Sequence, residues 1–143
     1  MKAQVPAEDE KSPRPETLRR RADFVRAARG ARVALPAFTV QMAPRELTDS
    51  HAPARFGLTV TRKVAGAVGR NRIRRRLREA LRLGGALGAK PGRDYVFVAR
   101  PVSLSAPFAE LLAQMTEGLA RLNDRGARRA RDANRKTGLR GHE

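Results

Sequence analysis

Nine basic residues against a single acid, Glu79, fall within the stretch Arg62–Arg82, RKVAGAVGRNRIRRRLREALR. A guanidinium donates in a planar fork that fits phosphate oxygens, so such a run is suited to holding a polyanion. Arg70, Arg74, Arg78 and Arg82 stand four apart, a ladder of like charges in which each pair costs roughly 0.2–0.5 kcal/mol on an isolated helix. A phosphate backbone would relieve that repulsion. Arg62 and Lys63 precede a turn containing Gly66 and Gly69, and a helix starting after that turn offers backbone amides to an anion. Asn71, between Arg70 and Arg72, suits either of two tasks: starting the helix, or ordering a phosphate or a hydrated ion. A basic helix can also be a plain solvated face, but the near absence of compensating acid favours docking.

Other chemistries find little purchase. The acids between residues 17 and 123 are scattered with no paired spacing, which argues against a two-carboxylate hydrolase or a protein-only two-metal nuclease. Glu79 lies four residues after Arg75 and reads as a local offset of charge. His51 and His142 have no nucleophile or ligand partner in sequence. With no cysteine in the chain, disulfides, thiolate metal sites and cysteine nucleophiles are excluded. Gly66 and Gly69 match neither standard nucleotide-binding loop.

The whole chain of 143 residues is one domain's worth and carries a formal net charge of +17, with 31 basic residues, 26 of them Arg. Residues 17–123 alone hold 21 basic and seven acidic residues, so the charge belongs to the folded body. Nucleic acid is the first partner such a balance suggests. Neither a transmembrane length of apolar residues nor a signal peptide's basic start and apolar run is present, and the expected location is the cytoplasm. Residues 1–16, with Pro6, Pro13 and Pro15, read as a disordered arm, and residues 124–143 as a flexible basic tail.

Between them the periodicity predicts a helix over Leu18–Arg29, with Leu18, Ala22 and Val25 on its apolar stripe and Gly30 as its stop. Phe24 falls off that stripe, where it either wraps into the core or stacks on an unpaired base. A strand is expected over Val33–Met42, bent near Pro36, and another over Arg55–Thr61. In the latter Phe56, Leu58 and Val60 share one face, and the small residues Gly57, Thr59 and Thr61 leave ligand room on the other. Ile73, Leu77, Ala80 and Leu81 recur at helical spacing down to Gly84-Gly85. Tyr95–Ala99 reads as a strand with both faces partly buried, after which Ser105 can cap an amphipathic helix running from Phe108 to Leu122 with Pro107 in its first turn. Phe38, Phe56 and Phe108 read as core. Strand, helix, strand in the middle implies a crossover and a helical layer on one sheet.

In that order, LRRRADFVRAARG, FGLTVTRKVAGAVGRNRIRRRLREALR and RDYVFVARP followed by an amphipathic helix resemble the bacterial ribonuclease P protein subunit. The resemblance covers roughly Leu18–Leu122. It implies an α+β fold, a two-layer α/β sandwich of the ribosomal protein S5 domain 2-like type, of order αβββαβα with a left-handed βαβ crossover, against the usual handedness. It further implies that catalysis belongs to an RNA subunit using Mg²⁺ or another divalent ion, while the protein helps remove the 5′ leader of precursor tRNA. On that resemblance Arg62, Lys63, Arg70, Asn71, Arg72, Arg74, Arg75 and Arg78 face the catalytic RNA. The single-stranded leader would lie between the first helix and the sheet, at Phe24 with Arg20, Arg21, Phe38 and Thr59. The sequence departs from the family where a second aromatic is replaced by Ala27 or Ala28 and a strand aromatic by Gln41, which implies weaker or more polar leader contacts. The competing reading is a non-catalytic RNA-binding protein, such as a ribosomal protein or RNA chaperone.

Overall fold

Alternation along the strands fixes which way each side chain points. In the computed structural model, which describes residues 16–44, 52–85 and 88–124, Phe38, Val40 and Met42 are buried while Thr39 and Gln41 between them are half-buried, the period-two pattern of a strand with one well-covered face. The elements run β1 (Glu16–Thr17), α1 (Arg21–Ala28), β2 (Ala31–Ala34), β3 (Phe38–Pro44), β4 (Arg55–Thr59), α2 (Ala67–Ala80), β5 (Arg93–Ala99) and a one-turn α3 (Val102–Ser105). A long helix, α4, then occupies residues 108–124. Glu16 therefore belongs to a strand rather than to the expected arm. Residues 1–15 and 125–143, the bulk of both arms, lie outside the described residues, as do His51 and His142.

The five strands form one sheet in the order β1-β4-β5-β3-β2. β4 and β5 are parallel neighbours joined through α2, the crossover that the spacing implied, and β3 runs antiparallel to both β2 and β5. The single bent strand expected over Val33–Met42 is instead a hairpin, pairing Val33 with Val40 and Ala34 with Thr39. Pro36 fixes the backbone at the turn and has no N–H to give to a ladder. The Leu35 N–H closes the hairpin on the Phe38 carbonyl at 2.9 Å, and the Ala37 N–H donates to Gln114 Oε1 of α4 at 2.8 Å.

Register assembles the main core on one face. Val40 stands opposite Phe97, Met42 and Phe56 opposite Tyr95, and Leu58 opposite Phe97. Phe38 meets Phe97 edge to face with centroids 5.2 Å apart, and Phe56 stacks on Tyr95 at 5.7 Å. α2 covers this face with Ile73, Leu77 and Ala80, and α4 with Leu111, Met115, Leu119 and Leu122. Close approach of α4 needs Gly118, where a Cβ would come within 2.7 Å of a Leu35 methyl. The one-turn α3 ends at Ser105, so Ser105 does not cap α4. The Pro107 carbonyl accepts the first α4 amides, from Glu110 and Leu111, and Pro, lacking an N–H, suits a position where no donor is needed. α2 itself runs into a wide turn at Leu81–Gly85 in which Gly84 has φ 139°, a conformation open to glycine and strained for other residues.

α1 packs on the opposite face, giving partial cover beyond the two main layers. Its buried residues are Asp23 and Ala27, with Phe24 half-buried against Leu18, Ala43, Val96 and Val98. The expected stripe of Leu18, Ala22 and Val25 is incorrect: Ala22 is exposed and Val25 is 40% exposed. Leu18 precedes the helix and does not share its phase, and Asp23 is drawn inward toward Arg55 of the sheet.

At the far end of the core the Tyr95 hydroxyl donates to Asn123 Oδ1 at 2.9 Å and accepts from the Lys90 N–H at 3.0 Å. Burial pushes its pKa above the ordinary 10.0. A raised folded value means that this stability is fully present below about pH 10 and is lost as pH climbs through the folded pKa, because only the unfolded chain ionises readily there. Tyr95→Phe is expected to cost about 1 kcal/mol at neutral pH through the missing hydrogen bonds. It should also flatten the fall of the urea midpoint between about pH 9 and about pH 11. An alkaline decline as steep as the wild type's would contradict that role.

Candidate nucleic-acid interface

Two surfaces take shape, one on α2 and one beside α1. α2 begins at Ala67 with Gly66 as its extended N-cap, and no side chain caps it. Asn71 is therefore inside the helix and does not start it; its Oδ1 accepts from Arg74 Nη1 at 3.1 Å. Arg70 folds back to donate to the Ala65 carbonyl at 3.0 Å, bracing the turn before the helix. The lower rungs of the sequence ladder thus have local partners.

What faces solvent freely is a different set. Arg72, Arg75 and Arg78 recur every three residues on exposed positions of α2, and Arg62 and Lys63 are exposed in the turn after β4. None of these five side chains forms a hydrogen bond or ion pair with another described residue. The helix holds them outward because Ile73, Leu77 and Ala80 are fully buried on its other side. Glu79 pairs with Arg82 at 2.6 Å rather than with Arg75, and the hydrogen bond from Arg82 lowers the Glu79 pKa.

Arg76, absent from the sequence-based docking set, has a structural task. Its guanidinium donates to the Ser103 carbonyl at 2.6 Å, to Leu104 at 2.9 Å and also to Ala106, satisfying the carbonyls that α3 leaves open. The signal is readable in the sequence: Arg76 is three residues after Ile73 and four before Ala80, on the apolar side.

On the α1 side the Phe24 ring lies over Gly57, where a Cβ would sit 2.5 Å from its Cε1. The room expected at Gly57 is thus taken by Phe24 itself. Thr59 and Gln41 are half-buried on this same face, and Arg20 and Arg21 are exposed at the start of α1. Phe38 is a correction. Register turns its side chain to the opposite face, where it is fully buried against Phe97, so it cannot touch a ligand in this cleft.

A buried charge cluster fastens α1 to the sheet. Asp94 of β5 accepts from Arg55 Nε at 2.9 Å and Nη2 at 2.7 Å, and from Arg26 Nη2 of α1 at 2.6 Å. Asp23 joins at 3.2 Å from Arg26 and 3.5 Å from Arg55. The hydrogen bond to Asp94 raises the Arg55 pKa further above its ordinary value. Sequence spacing offers no hint that Asp23 and Asp94, 71 positions apart, converge. Their oxygens are occupied by guanidinium groups, and among the described residues no group of three acidic or histidine side chains offers a cation a ligand set. No helix among those residues is long and apolar enough to cross a membrane.

Comparison with known proteins gives a consistent result. The family model described as Ribonuclease P matches residues 12–123. The Ribonuclease P protein component of Caulobacter vibrioides is 44% identical over 107 residues, covering 75% of this chain and 70% of that one. That of Bartonella quintana is 44% identical over 105 residues, covering 71% and 79%. Among solved structures, the RNase P protein from Thermotoga maritima is similar with TM-score 0.57 and 27% identity, over 71% of this chain and 96% of that one. The Staphylococcus aureus RNase P protein shares the fold at TM-score 0.55 and 24% identity, over 77% and 94%.

Proposed function

The chain belongs to the ribonuclease P protein family, and from that premise we propose that it serves as the protein component of ribonuclease P in 5′ maturation of precursor tRNA, acting in the cytoplasm. Its α2 face docks on the RNA subunit, and its α1 cleft receives the single-stranded leader. Phosphodiester hydrolysis, with the divalent ion it requires, belongs to the RNA partner.

The observation that carries this reading is the solvent face of α2: Arg72, Arg75 and Arg78 exposed in series, with the opposite face locked into the core. Such charges gain by displacing counterions from phosphates, and a rigid helix sets their spacing in advance. Arg62 and Lys63 extend the surface beyond the end of β4. Arg70, Asn71 and Arg74 shape it from within. In the cleft, Phe24 presents a half-exposed ring to an unpaired base, Thr59 a nearby hydroxyl, and Arg20 and Arg21 positive charge along the strand's path.

The leading competitor is an RNA-binding protein with no reaction attached, such as a ribosomal protein or chaperone. Sequencing the RNA that copurifies with the protein at moderate salt separates the two. Enrichment of one structured RNA together with tRNA precursors is expected. Ribosomal RNA without such enrichment would favour the competitor.

A further inference from the structure

We propose that Val68, in the first turn of α2, packs on a nucleoside surface of the RNA subunit, ribose and base, and helps select that RNA from others. The proposal rests on the RNA-docking reading above and adds to it a contact that is not ionic. Val68 is 84% exposed. At about 100° per helical residue it falls in one stripe with Arg72 and Arg75 on the solvent side of α2. A strand held by those two guanidinium groups therefore continues, about 6 Å further along the axis, over Val68. The other large apolar side chains exposed among the described residues, Val25, Leu83 and Val102, stand on α1, in the wide turn after α2 and on α3, off this stripe.

The residue type is unfavourable where it stands. A β-branched side chain is a weaker helix former than the Ala and Arg residues around it, and an apolar one left in water gains none of the free energy of burial. Nothing in the fold offsets this, because Ile73, Leu77 and Ala80 fill the buried side of α2 and Val68 is not part of the core they join. A contact made on docking does. The approach is open: Gly66 and Ala67 before it are exposed, and a Cβ built on Gly66 would have no atom within 4 Å. The neighbouring charges give the chemistry of the partner. Arg62 and Lys63 in the turn before the helix and Arg72 one turn after Val68 suit phosphates, so the two methyl groups between them meet what lies between phosphates along a strand, the sugar and its base. Phosphate contacts hold any RNA, whereas selection of one RNA needs contacts to other parts of the nucleotide.

Val68→Ala removes the contact at an exposed site and places a better helix former there, so the fold should be at least as stable as the wild type's. Kd is measured for the RNA subunit and for an unrelated duplex RNA of equal length, each at several salt concentrations. The variant is expected to bind the RNA subunit about fivefold more weakly, part of what burying a Val side chain supplies, with an unchanged salt slope and unchanged affinity for the unrelated duplex. Arg75→Gln in parallel should weaken both RNAs and lower the slope by about 0.7–0.9. Wild-type affinity of Val68→Ala for the RNA subunit, an equal loss on both RNAs, or a fall in slope would overturn the Val68 contact. Because the chain has no cysteine, Val68→Cys also offers a unique thiol for a short aryl azide; one dominant cross-linked nucleotide in the RNA subunit is expected, and cross-links scattered over it would count against the contact. A folded wild-type protein that does not discriminate between the two RNAs would instead refute the RNA-subunit reading on which the contact rests.

Discussion

Replacing Arg72, Arg75 and Arg78 together by Gln is expected to weaken association with the RNA subunit roughly 100-fold at low salt and to flatten its salt dependence by about 2–3 in logarithmic slope, close to 0.7–0.9 for each phosphate that is no longer neutralised. Fold stability should be unchanged or slightly improved. All three side chains are exposed, so their removal leaves no hole, and it thins a cluster of like charges. The choice of residues matters. Arg70 and Arg74, the natural picks from an i, i+4 ladder, hold the Ala65 carbonyl and Asn71, so their removal would mix local structure with docking. Titration of labelled RNA at several salt concentrations, beside urea unfolding of the same proteins, checks both halves. Affinity and slope equal to wild type in a folded triple variant would reduce the basic face to ordinary solvated charge.

Asp94→Ala is expected to act through the fold, with a loss of about 3 kcal/mol. That lies at the lower end for breaking a buried ion pair, because the Arg26 and Arg55 side chains keep 39% and 26% exposure and can recover some hydration. Against a total stability of roughly 5–15 kcal/mol for a domain of this kind, the loss is a large fraction. Asp94 has no exposed side-chain surface and is the common acceptor of one cation from α1 and one from β4, so truncation loosens α1 from the sheet and leaves Arg26 and Arg55 to share Asp23. Phe24, flanked on α1 by Asp23 and Arg26, would lose its seat over Gly57, and leader affinity should fall along with stability. Urea unfolding of Asp94→Ala against wild type measures the effect. A midpoint within experimental scatter of wild type would show that the cluster does not fasten α1.

The parts of this molecule governed by period are legible in its sequence. Leu111, Met115, Leu119 and Leu122 announce α4, and Ile73, Leu77 and Ala80 the buried side of α2, because a single helix face repeats at three and four residues. The basic character of α2 follows from composition alone. What stays hidden depends on pairs far apart in sequence or on geometry at one residue. Pro36 signals an interruption, but only hydrogen bonding from Leu35 to Phe38 distinguishes a hairpin from a bend. Hydrophobic pattern puts α1 out of phase because its inward face is set by Asp23 meeting Arg55, an ionic attraction that no such pattern records. Family resemblance places Phe38 in the leader cleft, while strand alternation alone puts it in the core; the register bears out the alternation. Arg76 shows the reverse case, a cation in a basic run whose position on the apolar side marks it as a structural cap.

The central claim, that this protein assists an RNA catalyst and does not itself cut, is tested most directly by cleavage of a precursor tRNA at low Mg²⁺ with the cut site mapped. Adding the protein to the matching RNA subunit is predicted to restore cleavage at the junction between leader and mature tRNA, with no cleavage by the protein alone. Cleavage by the protein without the RNA, or no gain in leader removal when the folded protein is added to it, would contradict the account.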